Sequence, residues 1–92
     1  MKYALFYADT IDKKWLKSQS ADVLDRIQKE ISRKLTTKPE IYGKPLRKSL
    51  KGYRRLRIGQ YRVLFKIVGK KVKIVFIGLK PDVYEKFLKK MK

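Results

Sequence analysis

A basic segment at positions 52–62, GYRRLRIGQYR, is the part of the chain whose residue types and spacing best suit chemistry. Side chains alternate between the two faces of a strand, so Arg55 and Arg57 are expected to point the same way, about 6–7 Å apart. Arg62 opens the next strand and joins them if the strand register brings its side chain to the same face. Guanidinium groups suit phosphate oxygens, and a converging set favours the added negative charge of a phosphoryl-transfer transition state. The segment therefore predicts a site that binds or cleaves phosphodiesters.

The charge distribution indicates the same kind of partner. The 92 residues include 26 Lys and Arg against 8 Asp and Glu, a net charge of +18. The stretch between Glu40 and Asp82 contains thirteen Lys and Arg and no acidic residue. Cations at this density repel one another, so we expect an anionic partner, with RNA as the first candidate. Four further cations are expected to extend the RNA-binding surface: Arg47, Lys48, Lys51 and Arg54.

Composition excludes several other kinds of site. With no cysteine and no histidine, the chain lacks a thiolate nucleophile, disulfides and the usual transition-metal ligands, so we expect no metal and no cofactor. It has no signal-peptide core and no run of about 18 apolar residues, which predicts a cytoplasmic protein without membrane contact. The length fits a single domain over residues 1–92.

The first half of the chain predicts a strand followed by two helices. Residues 3–7 are apolar and aromatic over the length of a strand. A short helix is predicted over 10–17 with Asp9 as its cap, and a longer one begins after Ser20. Residues 36–51 are interpreted as a loop because Pro39, Gly43 and Pro45 interrupt it. The longer helix carries one apolar stripe, formed by Leu24, Ile27, Ile31 and Leu35.

The second half predicts three antiparallel strands and a closing helix. Strands over 53–58, 61–68 and 71–77 are separated by the tight turns Gly59-Gln60 and Gly69-Lys70. Pro81 is expected in the first turn of the last helix. The predicted fold class is α+β: a small, mostly antiparallel sheet of about four strands with a mixed edge, two N-terminal helices packed on one face and a short C-terminal helix.

Two stretches, Gly43-Lys44-Pro45-Leu46 and the run from Leu50 to Phe65, resemble the core signature of the RelE/ParE superfamily of toxins from type II toxin–antitoxin modules. The order of strand, helix pair and three strands is similar too, so the resemblance covers nearly the whole chain. In the RelE branch it implies a metal-independent endoribonuclease (mRNA interferase) that cleaves mRNA in the ribosomal A site and inhibits translation. The nucleophile would be the substrate's own 2′-hydroxyl.

The resemblance also implies a role for each of five residues. Arg55, Arg57 and Arg62 match basic positions around the scissile phosphate. Lys80 matches a late basic position linked to proton donation to the leaving 5′ oxygen, and Tyr84 matches a tyrosine linked to stacking on or orienting the nucleotide.

The chain departs from the family pattern at the end of its last predicted strand. Leu79 stands where many relatives have His, and Lys80 replaces the more usual Arg. Activity therefore depends on Lys80 supplying the proton. Arg54 alternates with Leu56, which places it on the opposite face, either exposed to solvent or in contact with an antitoxin.

The resemblance implies three partners: the ribosome, mRNA and a cognate acidic antitoxin that folds on binding and covers the basic surface. Two alternatives stay open. A ParE-like toxin shares the scaffold but acts on DNA gyrase, and a non-catalytic basic module, or a toxin that has lost activity through Leu79, would only bind nucleic acid. Loss of cleavage by orders of magnitude on changing Arg62 or Lys80 would indicate catalysis, whereas a binding module would lose only modest affinity.

Overall fold

The computed structural model describes residues 2–91, and these form one five-stranded mixed sheet with helices on both faces. The spatial order of the strands is β1-β5-β4-β3-β2, with β1 parallel to β5 and every other neighbouring pair antiparallel. The strands are β1 (Ala4–Tyr7), β2 (Lys44–Pro45), β3 (Arg54–Ile58), β4 (Tyr61–Val68) and β5 (Lys71–Leu79). The helices are α1 (Lys13–Lys17), α2 (Ala21–Glu30), α3 (Pro39–Tyr42) and α4 (Val83–Lys90). The predicted α+β class with a mixed edge is confirmed, with five strands where about four were predicted.

The N-terminal helices begin where side chains can cap them. Ser20 caps α2 as predicted, since its Oγ accepts a hydrogen bond from the Val23 amide at 3.2 Å. The prediction for α1 was wrong by one turn: Asp12, and not Asp9, is the cap, accepting from the Trp15 amide at 3.1 Å. Trp15 then packs edge-on against Tyr61, with ring centroids 6.0 Å apart, and fastens α1 to the sheet.

The stripe predicted on α2 continues through a π-helical turn, Ile31–Leu35, which the sequence pattern did not predict. Ile27, Ile31 and Leu35 are all buried, and Leu24 is half-buried. These residues pack against one face of the sheet, which we call the helix face; it carries Leu56, Ile58, Val63 and Phe65, among others.

The segment 36–51, predicted as a loop, contains three short elements. Pro39 opens α3, Lys44–Pro45 pairs with Arg54 and Arg55 as β2, and a 3₁₀ turn spans Lys48–Leu50. Gly43 permits this because a Cβ there would lie well inside contact distance of the Phe65 ring and 2.9 Å from the Pro39 carbonyl oxygen. The fifth strand therefore depends on a close approach that local sequence patterns do not reveal.

Helix α4 covers part of the opposite side of the sheet, which we call the α4 face. Val83 and Phe87 are buried against Leu64, Val75 and Phe76. A β-bulge makes this possible, since the pairing shifts from Leu64↔Phe76 to Phe65↔Ile74 and leaves Val75 unpaired. The helix begins at Val83, two residues later than Pro81 suggested, and β5 runs on to Leu79. Among residues 2–91, no helix is long and apolar enough to cross a membrane.

Candidate nucleic-acid site

The register of the central hairpin places all three predicted arginines on the α4 face. Arg55 lies directly opposite Leu64, which packs under α4, and Arg57 lies opposite Arg62. Residues opposed in an antiparallel pair point to the same face, about 4.5–5.5 Å apart at Cβ. The strand register therefore brings Arg62 to the same face as Arg55 and Arg57, which the sequence alone could not decide.

Arg55 is joined to Tyr84 across the face. Its Nη1 donates a hydrogen bond to the Tyr84 Oη at 3.1 Å, and both side chains are half-buried. Because the arginine donates, the phenol's own hydrogen is left available for another acceptor. Helix α4 thus supplies an aromatic hydroxyl to an arginine that β3 presents, a contact between residues 29 positions apart that the sequence did not predict.

Arg62 differs from the other two arginines in being buried, with only 4% of its surface exposed. Its Nη1 donates to the carbonyl oxygens of Gly59 at 2.8 Å and Tyr61 at 2.9 Å, while its buried Nε has no hydrogen-bond partner among residues 2–91. Arg57, by contrast, is exposed. The two opposed cations form the edge of the site beside the β3–β4 turn.

Lys80 comes to the same end of the sheet through its backbone. Its amide donates to the Gln60 carbonyl at 2.9 Å, so the residue that follows β5 is fixed beside the β3–β4 turn. Lys80 and the neighbouring Leu79 are exposed. Arg55, Arg57, Arg62 and Tyr84 therefore share the α4 face, and the backbone of Lys80 lies at the end of the sheet where Arg57 and Arg62 are found.

The four predicted RNA-binding cations lie elsewhere. Arg47, Lys48 and Lys51 are exposed on the β2–β3 connection, at the opposite end of β3 from Arg57. Arg54 points away from Arg55, as the alternation of side chains predicted. The prediction that its side chain is exposed to solvent was wrong, because it is half-buried. Its Nη1 donates to the carbonyl oxygens of Gly43 at 2.8 Å and Glu40 at 3.3 Å, so it holds the end of α3 against the sheet.

The site cations are not neutralised by carboxylates. The ion pairs between residues 2 and 91 all lie on α2 and the π-helical turn: Asp25 with Lys29, and Glu30 with Arg33 and Lys34. Hydrogen bonds from Arg33 and Lys34 lower the pKa of the Glu30 carboxyl. The same span holds no cluster of metal-ligating side chains. Among residues 2–91 the cations of the α4 face thus make no ion pair, so their charge is available to an anion.

A shallow recess of about 430 Å³ on the helix face is a feature that the sequence pattern did not predict. Leu16, Leu24 and Ile31 line it, and Tyr7, which is 54% exposed, closes one side. Partial burial there raises the pKa of the Tyr7 hydroxyl. The recess was missed because it arises where α1, α2 and β1 meet, and none of their sequences specifies that junction alone.

The fold has clear relatives. A family model described as the ParE toxin of the type II toxin–antitoxin system parDE matches residues 5–83. The toxin–antitoxin complex RelBE2 from Mycobacterium tuberculosis is similar with a TM-score of 0.75 and 26% identity, covering 87% of this chain and 100% of that one.

Two structures from Escherichia coli show the same fold at lower identity. A double mutant of the toxin RelE in the free state has a TM-score of 0.63 and 18% identity, with 100% of each chain covered. The DinJ–YafQ toxin–antitoxin complex has a TM-score of 0.55 and 18% identity, covering 86% of this chain and 93% of that chain. No curated protein sequence matches significantly.

Proposed function

The chain belongs to the ParE toxin family of type II toxin–antitoxin systems, and within that toxin class we propose, from the geometry of its site, that it inhibits translation by cleaving mRNA in the ribosomal A site. The observation that carries this proposal is the Arg55–Tyr84 hydrogen bond on a face that also carries Arg57 and the buried Arg62, with the backbone of Lys80 at the same end of the sheet. A surface for binding alone needs cations; it does not need a phenol fixed by one of them.

In the proposed reaction, the 2′-hydroxyl of the substrate gives its proton to water as its oxygen forms a bond to phosphorus, while the bond from phosphorus to the 5′ oxygen breaks. The products are a 2′,3′-cyclic phosphate and a 5′-hydroxyl end. Arg55, Arg57 and Arg62 stabilise the charge that builds up on the phosphate oxygens. Lys80 gives its proton to the leaving 5′ oxygen, and Tyr84 orients the nucleotide through its ring and hydroxyl.

The neighbouring acids fit a structural role better than an acid–base role. Asp82 occupies the N-cap position of α4, and Glu85 lies in its first turn. Carboxylates there are stabilised by the positive end of the helix. The proton transfers are therefore assigned to Lys80, as donor to the 5′ oxygen, and to water, as acceptor from the 2′-hydroxyl.

We propose a cognate acidic antitoxin as the second partner. The RelBE2 and DinJ–YafQ structures are toxin–antitoxin complexes, which supports such a partner here. An acidic segment that folds on binding would neutralise the α4 face, and the apolar recess beside Tyr7 offers it surface to bury on the other side. Because both the ribosome and this antitoxin are cytoplasmic, we assign the protein to the cytoplasm.

Inhibition of DNA gyrase is the second candidate, and the match to the ParE family model favours it. In that case the basic face would bind a protein or DNA target and Tyr84 would have no chemical role. Tyr84→Phe would then leave toxicity unchanged.

The test is to add the purified protein to a translating cell-free extract, map new mRNA 5′ ends by primer extension, and assay gyrase supercoiling in parallel. We expect discrete cuts at A-site codons and none with Arg57→Ala, an exposed position. Lys14→Ala on α1 is the matched control and should cut like the wild type. Supercoiling inhibition without cuts would favour gyrase as the target.

A further inference from the structure

The α4 face continues beyond the candidate site into a second basic surface, which we call the lysine patch. It consists of Lys66 and Val68 on β4, Lys71 and Lys73 on β5, and two aromatic residues beside them, Phe6 and Tyr53. None of these residues belongs to the proposed catalytic set.

The pairing of the strands concentrates the charge of the patch. Lys66 lies directly opposite Lys73, and Val68 lies opposite Lys71. Like charges opposed across strands destabilise a sheet, and none of these lysines has an acidic partner between residues 2 and 91. The arrangement costs stability, so a ligand that supplies the missing negative charge is its simplest explanation.

Aromatic and apolar surface lies between the lysines. The Lys66 Nζ lies 5.6 Å from the centre of the Tyr53 ring, and the Lys71 Nζ lies 5.4 Å from that of Phe6. Phe6 is 47% exposed and Val68 is 52% exposed, and with Lys71 and Lys73 they line a depression of about 360 Å³. Cations interleaved with accessible rings are what single-stranded nucleic acid binds: phosphates contact the cations and bases stack on the rings.

The patch is continuous with the candidate site. On β4, every second residue from Arg62 through Leu64 and Lys66 to Val68 points to the α4 face, because the bulge interrupts β5 and not β4. At about 3.4 Å per residue, Lys66 lies about 14 Å along the strand from Arg62 and Val68 about 20 Å. That length accommodates a few nucleotides on one side of a bound phosphate.

We propose that the lysine patch binds the mRNA strand on one side of the cleaved bond, with backbone phosphates on Lys66, Lys71 and Lys73 and a base against Phe6. This inference rests on the proposed nuclease function and adds the strand's path to it. RNA fits better than an acidic protein segment because β4 and β5 lie inside the sheet. Their backbone groups are already paired with neighbouring strands, so the patch offers charges and rings but no free strand edge.

The test measures fluorescence anisotropy of 2′-O-methyl RNA oligonucleotides of 3 and 12 nucleotides, which cannot be cleaved by 2′-oxygen attack. For Lys66→Gln/Lys73→Gln we expect affinity for the 12-mer to fall about tenfold and affinity for the 3-mer to change less than about twofold. The slope of log affinity against log salt should flatten by about 1.4, since each single-strand phosphate contact contributes about 0.7. Phe6→Ala should weaken 12-mer binding several-fold without changing the salt slope.

The matched control is Lys13→Gln/Lys14→Gln, which removes the same charge from exposed positions on α1. It should bind the 12-mer within about threefold of wild type. Thermal melting should show the patch variant at least as stable as wild type, because the opposed lysines are gone. The inference would be overturned if the patch and control variants weakened 12-mer binding equally. It would also be overturned if the patch variant lost as much affinity for poly-glutamate as for the 12-mer.

Cleavage assays separate this inference from the proposed function. If the wild type cuts mRNA on ribosomes while the patch variant keeps full 12-mer affinity, the patch assignment fails alone. If the wild type binds in the length-dependent way but never cuts, the nuclease proposal fails and the patch stands as an RNA-binding surface.

Discussion

The arginines of the site are of two kinds, which their spacing in the sequence could not distinguish. Arg57 is exposed and makes no hydrogen bond that the fold requires, whereas Arg62 is buried, with its Nη1 on two carbonyls and its Nε unpartnered. A buried cation without a carboxylate is costly to the fold. Residues that break such a rule are expected at functional sites, where stability is traded for activity.

Arg62→Met should therefore uncouple stability from activity. The substitution removes a buried charge and its repulsion with Arg57, against the loss of two hydrogen bonds to carbonyls. We expect the free energy of unfolding to stay within about 1 kcal/mol of wild type or to rise, while cleavage falls about 100-fold or more. Urea denaturation and single-turnover cleavage measure the two. A loss of several kcal/mol would show Arg62 to be a structural residue.

Arg55 and Tyr84 should act as a coupled pair. Tyr84→Phe keeps the ring but removes the oxygen that accepts from Arg55 at 3.1 Å. In a double-mutant cycle with Arg55→Lys, we expect a coupling free energy of about 1–2 kcal/mol in the cleavage rate. The melting temperatures of both single variants serve as the control for folding. Strictly additive losses would mean that the hydrogen bond has no role in catalysis.

At the scale of elements, strong local signals predicted the structure well and contacts between distant segments did not. The β4 strand has its predicted bounds, Tyr61–Val68, because apolar residues run between two glycine turns. The cap by Ser20 was also predicted correctly, because it depends only on the amide of Val23 three residues later. Two missed features, β2 and the β-bulge at Val75, depend on pairing with another strand. The cap of α1 is local, but Asp9 and Asp12 offer the same side chain one turn apart, and the sequence did not distinguish them.

The close approach at Gly43 gives a prediction for the α3–β2 corner. Gly43→Ala places a Cβ against the Phe65 ring and the Pro39 carbonyl, so we expect the variant to lose about 1–3 kcal/mol of stability. Ser49→Ala, an exposed change on the neighbouring connection, should stay within about 0.5 kcal/mol in the same urea titration. An equally small effect at Gly43 would show that this corner rearranges without cost.

The ion-pair cluster on α2 and the π-helical turn predicts how the fold responds to acid. Because Arg33 and Lys34 lower the pKa of Glu30 in the folded state, its contribution is present above the carboxyl's unfolded value of about 4.3. That contribution is lost as the pH falls through the lower folded value. Glu30→Gln should cost about 0.5–1 kcal/mol at pH 7 and nearly nothing at pH 2. Chemical denaturation across this range checks it, and a difference that persists at pH 2 would rule out the ion pairs as its cause.

At the scale of the whole molecule, ion pairing is divided between the two faces of the sheet. All the ion pairs found between residues 2 and 91 belong to α2 and its π-helical extension, while the cations of the α4 face make none. Composition predicted an anionic partner, and alternation predicted the face of Arg55 and Arg57. Neither predicted the burial of Arg62 or the lysine patch, since both follow from cross-strand register and from the placement of α4.

The measurement that tests the central claim most directly is single-turnover cleavage on ribosomes programmed with a defined A-site codon. It would compare all-ribose mRNA with mRNA carrying one 2′-deoxy nucleotide at the attacking position. We predict cleavage of the first to a 2′,3′-cyclic phosphate and a 5′-hydroxyl end, and none of the second. Equal cleavage of both, or no cleavage of either by the folded protein, would contradict the nuclease account.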